Sequence, residues 1–205
     1  MRLSDLIGPT TPAGTALFLQ WEGYHVFSIP QREVLRSVER VRLFGVGGKR
    51  QTCAESFTEC ALREGQEEIG NVIKSLTSAQ KTLFLRPDGS FQCIDLMDEP
   101  IRPRLIWEKR THSNHGSMAD STQAYYLVAF NAELSAKPQP HNEIAALIYL
   151  RDEHLTQMQS GKELGLQDWV NLGVKIEYQS EMLIPESTIL LPHGTVFLLM
   201  QECAS

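Results

Sequence analysis

The segment from Gly48 to Gly70 constrains the fold of this chain more than any other. Ser56 and Glu59 form a Ser-x-x-Glu capping box, the usual signature of a helix start. A run of Ala, Leu, Arg, Glu and Gln follows and stops at Gly70-Asn71, where a helix is expected to end. The segment therefore predicts one helix that begins near Ser56 and ends before Gly70.

Two faces of this helix differ in character. One stripe is expected to face a core and consists of Thr58, Leu62, Gly65 and Ile69. The neighbouring face carries the carboxylates of Glu64, Glu67 and Glu68, which repel one another, most strongly in a cleft where the dielectric falls. A divalent cation such as Mg²⁺ prefers hard oxygen ligands and removes this conflict. For the three glutamates alone, a solvated acidic face is the alternative interpretation.

The surrounding residues resemble the Nudix box, whose family pattern is G-x5-E-x7-R-E-U-x-E-E-x-G-U, with U a bulky aliphatic residue. Glu55 precedes Arg63 at the spacing of the pattern, and Arg63-Glu64, Glu67-Glu68 and Gly70 match it. The motif covers residues 48–71, and a looser likeness extends over about residues 14–155.

Three positions depart from the pattern. The loop after Gly48 carries one extra residue, and Gly65 and Asn71 replace aliphatic residues. These changes concern the geometry of the loop and the packing of the helix, and none of them removes a carboxylate.

The resemblance implies a metal-dependent diphosphate hydrolase. Glu64, Glu67 and Glu68 would bind Mg²⁺ or Mn²⁺, Arg63 would orient a glutamate, and the loop 47–55 would wrap the helix start. In this family water attacks a phosphorus of a diphosphate, and a carboxylate takes the proton. Arg63, Glu64 and Glu67 are the catalytic candidates within the box.

Further candidates lie outside the helix. Many family members place an acidic residue where Glu143 opens a strand, although an ordinary solvated glutamate fits that position equally well. Gly48 and Lys49, together with Arg104 and Lys109 from a basic loop, are candidate contacts for substrate phosphates. Basic residues in loops are more often simply solvated.

Strand and helix patterns together predict an α/β fold, a Nudix-type α/β/α sandwich around a mixed β-sheet. Residues 1–13 read as an irregular lead-in, residues 14–155 as the Nudix-like domain, and residues 156–205 as a C-terminal extension packed on that domain. Glu22-Gly23 and Pro87-Asp-Gly predict two tight turns between strands.

Charge and composition limit the classes of binding partner and the cellular location expected for this chain. The net charge of −6 disfavours binding to a nucleic acid polymer, because such binding needs a basic surface. The four cysteines are scattered, and no apolar run is long enough to span a membrane, so a cytoplasmic protein is expected. A small diphosphate is the expected substrate, and a possible homodimer is left open.

Three functions are compatible with these residues. The first is a pyrophosphohydrolase that cleaves a nucleoside diphosphate linked to another group. The second is a catalytically silent Nudix-like module that binds a nucleotide. The third is an isoprenoid diphosphate isomerase, for which Cys93 would be the only cysteine candidate.

Overall fold

The structure is a computed structural model that describes residues 1–96, 98–112, 122–179 and 183–203. Within these ranges the helices are α1 (Leu3–Leu6), α2 (Gln31–Arg36), α3 (Phe57–Ile69), α4 (Asp152–Gln159), α5 (Leu166–Asn171) and α6 (Thr195–Cys203). The strands are β1 (Ala13–Trp21), β2 (Tyr24–Pro30), β3 (Arg40–Leu43), β4 (Ile73–Thr77), β5 (Thr82–Leu85), β6 (Phe91–Ile94), β7 (Leu105–His112), β8 (Thr122–Leu134), β9 (Ile144–Leu150), β10 (Lys175–Tyr178) and β11 (Ile189–Pro192).

The chain divides into two compact units, each built from three segments. The first unit consists of Met1–Leu17, Gly47–Arg63 and Leu76–Asn131, and the second of Phe18–Val46, Glu64–Ser75 and Ala132–Ser205. Because unit boundaries fall inside β1, α3, β4 and β8, each of these elements contributes residues to both units. The domain limits predicted from the sequence, after residues 13 and 155, stay a prediction.

In the first unit the strands follow the order β1-β8-β7-β5-β6. β7 is antiparallel to β8, with Leu105 opposite Ala129, and parallel to β5, with Leu83 opposite Leu105. Ile106 and Val128 are fully buried, as expected of inner strands with apolar neighbours. This unit therefore contains both parallel and antiparallel pairs.

In the second unit the order is β10-β9-β2-β1. All seven residues of β9 are buried, because this apolar strand lies between β2 and β10. A separate two-stranded sheet pairs β3 with β11 in parallel, with Val41 opposite Leu190. With its large mixed sheet and few helices, the structure confirms the predicted α/β fold class.

Both predicted tight turns are present. Glu22 and Gly23 have φ angles of 50° and 78°, which a two-residue turn of a twisted hairpin requires. Gly89 has a φ of 83°, and Asp88 accepts a hydrogen bond from the Ser90 amide at 2.9 Å. These turns join β1 to β2 and β5 to β6, as the sequence predicts.

Several elements differ from the sequence prediction. The sequence pattern of residues 34–41 does not decide between helix and strand, and the structure places the end of α2 and the start of β3 there. The lead-in contains the short helix α1. The apolar run Leu105-Ile-Trp107 predicts a short strand within the basic loop; in the structure this strand extends to His112, because β8 pairs with it along its whole length. Of the long basic loop predicted over residues 97–120, residue 97 and residues 113–120 lie outside the described residues. None of the helices described is long and apolar enough to cross a membrane.

Candidate functional site

The loop before α3 is held against the first residues of β1, within the first unit. The Thr15 amide donates to the Gly48 carbonyl at 2.8 Å, and the Arg50 amide to the Ala13 carbonyl at 3.2 Å. Gly47 has a φ of 145°, and a Cβ atom there would lie 2.3 Å from the Thr15 carbonyl oxygen. Both the backbone conformation and the close approach therefore require glycine at this position.

An ion pair attaches this loop to α3. Arg63 Nε donates to Glu55 Oε1 at 2.8 Å, and Arg63 Nη2 donates to the Lys49 carbonyl at 3.1 Å. The Gln51 amide donates to Glu55 Oε2 at 2.7 Å. The Arg63 guanidinium, helped by this amide, holds the pKa of the Glu55 carboxyl below its usual range. The loop 49–55 is thus joined to the helix by charged hydrogen bonds.

Cys60 lies near this loop and is fully buried. Thr15 Oγ1 donates to Cys60 Sγ at 3.3 Å, and Arg63 Nη2 approaches the same sulfur at 3.7 Å. In the sequence, Cys60 is one of four scattered cysteines, and nothing in the motif assigns it a place at the site. Its spacing of one helical turn from Arg63 is the only signal that could have placed it here.

The three candidate metal ligands differ in exposure along the part of α3 that belongs to the second unit. Glu67 is exposed, Glu64 is half-buried, and the Glu68 side chain is only 6% exposed. A carboxylate is rarely buried in a protein unless it is paired or binds a metal. The acidic face predicted from the helical wheel thus extends from solvent into the interior.

The core-facing stripe of α3 was predicted incorrectly at one residue. Leu62 is 43% exposed rather than buried. The buried residues of the helix are Phe57, Cys60, Ala61, Gly65, Glu68 and Ile69. Successive residues of a helix lie about 100° apart around its axis, so the middle of this buried face lies close to Glu68. Leu62 lies at the edge of that face.

A loop after β8 contacts the end of α3, within the second unit. The His141 amide donates to the Glu68 carbonyl at 2.9 Å, and Asn142 Nδ2 donates to the Glu67 carbonyl at 2.7 Å. Glu143 follows directly and is exposed, with its carbonyl accepting from the Gln31 amide at 2.7 Å. Glu143 is a catalytic candidate from the sequence, whereas no sequence pattern points to His141 or Asn142.

The candidate ligands suit a hard metal ion chemically. In the described part of the chain, no group of three or more His, Cys, Asp and Glu side chains is arranged to hold a metal ion. Mg²⁺, however, commonly takes one or two carboxylates and completes its shell with water and substrate phosphates. The carboxylates of Glu64, Glu67 and Glu68 supply such oxygen atoms from neighbouring turns of one helix.

Of the predicted phosphate contacts, Lys49 lines a cavity beside the loop 49–53. This cavity of about 290 Å³ lies in the first unit and is also lined by Arg50 and Tyr125. Arg104 and Lys109 do not line it. Two cationic side chains, Lys49 and Arg50, therefore line this cavity, and the role of Lys49 as a substrate contact stays a prediction.

Arg104 and Lys109 lie elsewhere in the sheet of the first unit. The Arg104 amide donates to the Ala129 carbonyl at 2.8 Å, so its backbone belongs to the strand network rather than to a free loop. Lys109 Nζ lies 3.8 Å from the centre of the Trp107 ring, and burial lowers the pKa of its ammonium group. This contact is a cation–π interaction, and a contact between Lys109 and a substrate phosphate stays a prediction.

Comparison with known proteins returns solved structures alone. No protein-family profile matches the chain, and no match is found among curated proteins. The chain is similar to the ORF135 protein of E. coli, with 15% identity, a TM-score of 0.41, and coverage of 72% of this chain and 78% of that one. It is also similar to an ADP-ribose pyrophosphatase from Streptococcus suis, with 12% identity, a TM-score of 0.37, and coverage of 70% and 76%.

A third similar structure is a NUDIX hydrolase from Nitrosomonas europaea, with 13% identity and a TM-score of 0.37. The match covers 70% of this chain but only 58% of that protein, so the chain spans little more than half its length. The solved structures that the chain matches include Nudix hydrolases, the family whose motif residues 48–71 resemble.

Proposed function

We propose that this chain is a metal-dependent pyrophosphohydrolase that cleaves the diphosphate between a nucleoside and another group. The observation that carries the proposal is the set of three carboxylates near the end of α3, at Glu64, Glu67 and Glu68. These three side chains supply hard oxygen atoms from neighbouring turns of one helix, and such atoms are the ligands that Mg²⁺ prefers. Arg63, on the same helix, pairs with Glu55 of the preceding loop.

Each residue has a distinct task in this proposal. Glu64, Glu67 and Glu68 would hold Mg²⁺ or Mn²⁺, which when bound neutralises phosphate oxygens and acidifies water. Arg63 would keep the loop 49–55 against the helix through Glu55. Glu143, on the loop that contacts the helix end, would accept the proton of the attacking water. Lys49, exposed beside a cavity, would bind a substrate phosphate.

The test is hydrolysis of a panel of diphosphates with Mg²⁺ and then with Mn²⁺. The panel contains nucleotide sugars, dinucleoside polyphosphates, ADP-ribose and NADH, and phosphate products are followed. We expect turnover of at least one class and its loss on chelation. Glu67→Gln and Glu68→Gln should each lower kcat/KM by about 100-fold or more, since even the partners of metal ligands contribute about 10- to 100-fold.

The matched control is Glu186→Gln, which removes one exposed carboxylate from a loop outside the proposed site. It should retain the parent activity, and circular dichroism should show that all three variants are folded. Full activity in both Glu67→Gln and Glu68→Gln would remove the site assignment. No turnover of any substrate with either metal would favour the catalytically silent nucleotide-binding module instead.

A further inference from the structure

The last turn of α3 is closed by a neighbouring loop. The last four carbonyls of a helix have no partner within the helix and need one elsewhere. In α3 the Gln66 carbonyl accepts from the Gly70 amide at 3.1 Å. The three that follow all accept hydrogen bonds from the loop 139–142: Glu67 from Asn142 Nδ2 at 2.7 Å, Glu68 from the His141 amide at 2.9 Å and Ile69 from the Gln139 amide at 3.4 Å.

Asn142 adopts a backbone conformation that is costly for most residues. Its φ is 48°, in the left-handed region, which asparagine tolerates better than other non-glycine residues. Of the three hydrogen bonds from the loop 139–142 to the last carbonyls of α3, the bond from Asn142 is made by a side chain and the other two by backbone amides. Both the conformation and the donor therefore favour asparagine at this position.

Two glutamines bind the backbone carbonyl of Asn142. Gln31 Nε2 donates to the Asn142 carbonyl at 2.8 Å and to Gln179 Oε1 at 2.7 Å. Gln179 Nε2 also donates to the Asn142 carbonyl, at 3.3 Å. Tyr149 Oη holds the start of the loop through the Pro138 carbonyl at 3.0 Å. The loop is therefore attached to α2, to β9 and to the residue that follows β10.

From this geometry we infer that Asn142 is a positioning residue, which fixes the last turn of α3 so that Glu67 and Glu68 present their carboxylates to a metal ion. The inference rests on the proposed function. Carboxylates near the negative end of a helix dipole are unfavourable, and donors on the helix carbonyls offset part of this charge. Metal ligands need support within about 0.5 Å of their binding positions, which a fraying turn cannot give.

The test compares Asn142→Asp with Asn171→Asp. Aspartate tolerates the left-handed conformation and has the size of asparagine, but an ionised aspartate cannot donate to the Glu67 carbonyl. Asn171 is an exposed residue at the end of α5 in the same unit, so its variant controls for the added charge. Calorimetry with Mn²⁺ should show about 10- to 100-fold weaker binding for Asn142→Asp, the range for residues that support metal ligands. Asn171→Asp should bind as the parent does.

Two further measurements separate positioning from a general structural role. At saturating Mn²⁺ the kcat of Asn142→Asp should return towards the parent value, while the Mn²⁺ concentration for half-maximal rate stays raised. Hydrogen exchange without metal should become faster in the peptide that covers residues 64–72. If Asn142→Asp does not fold, Asn142→Gly keeps the positive φ, removes the donor, and should weaken Mn²⁺ binding in the same direction.

The outcomes distinguish the inference from the proposed function. If the parent binds Mn²⁺ and the Asn142→Asp or Asn142→Gly variant binds it equally well, the inference alone is overturned. A parent that binds no Mn²⁺ and hydrolyses no diphosphate overturns the proposed function and, with it, the inference.

Discussion

At the scale of single residues, the ion pair between Glu55 and Arg63 is the best defined interaction near the candidate site. Their side chains are 13% and 23% exposed, and Glu55 also accepts from the Gln51 amide. Arg40 and Glu163 form another pair, with side chains 46% and 54% exposed. Water screens the exposed pair far more, so only the first is expected to matter for stability.

We predict that Glu55→Gln destabilises the protein at pH 7 by about 1–3 kcal/mol, the usual contribution of hydrogen bonds to charged groups. Because the folded-state pKa of Glu55 lies below its ordinary value of 4.5, this stability is present above that pH and is lost as pH falls through the lowered pKa. Urea unfolding of parent and variant at several pH values measures the difference.

The control for this prediction is Glu163→Gln, which should change the free energy of unfolding far less at pH 7. The gap between the parent and Glu55→Gln should shrink below pH 4.5. A gap of constant size from neutral to acid pH would mean that the ionised Glu55 is not the source of the stability.

At the scale of elements, the loop before α3 lies so close to β1 at Gly47 that no side chain fits between them. A Cβ atom on Gly47 would lie 2.3 Å from the Thr15 carbonyl oxygen and 2.7 Å from Ala16 Cα, both backbone atoms that cannot rotate away. By contrast, Gly161 has a φ of 73° after α4 but no atom within 4 Å of a Cβ placed there. A substitution at Gly161 therefore tests backbone strain alone, whereas one at Gly47 adds steric overlap with β1.

We predict that Gly161→Ala costs about 1 kcal/mol, from its positive φ alone. Gly47→Ala should cost clearly more, because the overlap with β1 adds to the strain and forces the loop away from the strand. Chemical denaturation of the two variants provides the comparison. Equal losses for both would show that the loop can move from β1 without a penalty.

At the scale of the whole molecule, a metal that binds only the folded chain must stabilise it. With free metal at 100 times its dissociation constant, the gain is about 2.7 kcal/mol. For a chain of this size each kcal/mol corresponds to roughly 2–4 °C in Tm, so Mn²⁺ should raise the Tm by about 5–10 °C. Thermal unfolding with Mn²⁺ and with excess chelator measures this shift.

Variants of the proposed metal ligands test whether the rise in Tm comes from metal bound at α3. Glu67→Gln and Glu68→Gln should lose most of the Mn²⁺-dependent rise, while Glu186→Gln should keep it. A rise of equal size in all of them would place the stabilising metal outside α3.

Local signals in the sequence were sufficient for much of the fold. The capping box of α3 forms as predicted, with the Glu59 amide donating to Ser56 Oγ at 3.1 Å and the Ser56 amide donating to Glu59 Oε2 at 2.8 Å. Turns at Glu22-Gly23 and Pro87-Asp-Gly are likewise as predicted. Each of these features is determined by groups within four residues of one another, so the sequence alone contains the interaction.

Burial and long-range contacts were decided by the tertiary structure alone. The helical wheel could not tell that Leu62 is exposed and Glu68 buried, because the packing partners of α3 are distant in the sequence. Asn142 lies 75 residues from the Glu67 carbonyl that it contacts. The sequence by itself therefore determined which carboxylates share a helix, whereas the loop that holds the end of that helix depends on sheet pairing between distant strands, which no local pattern encodes.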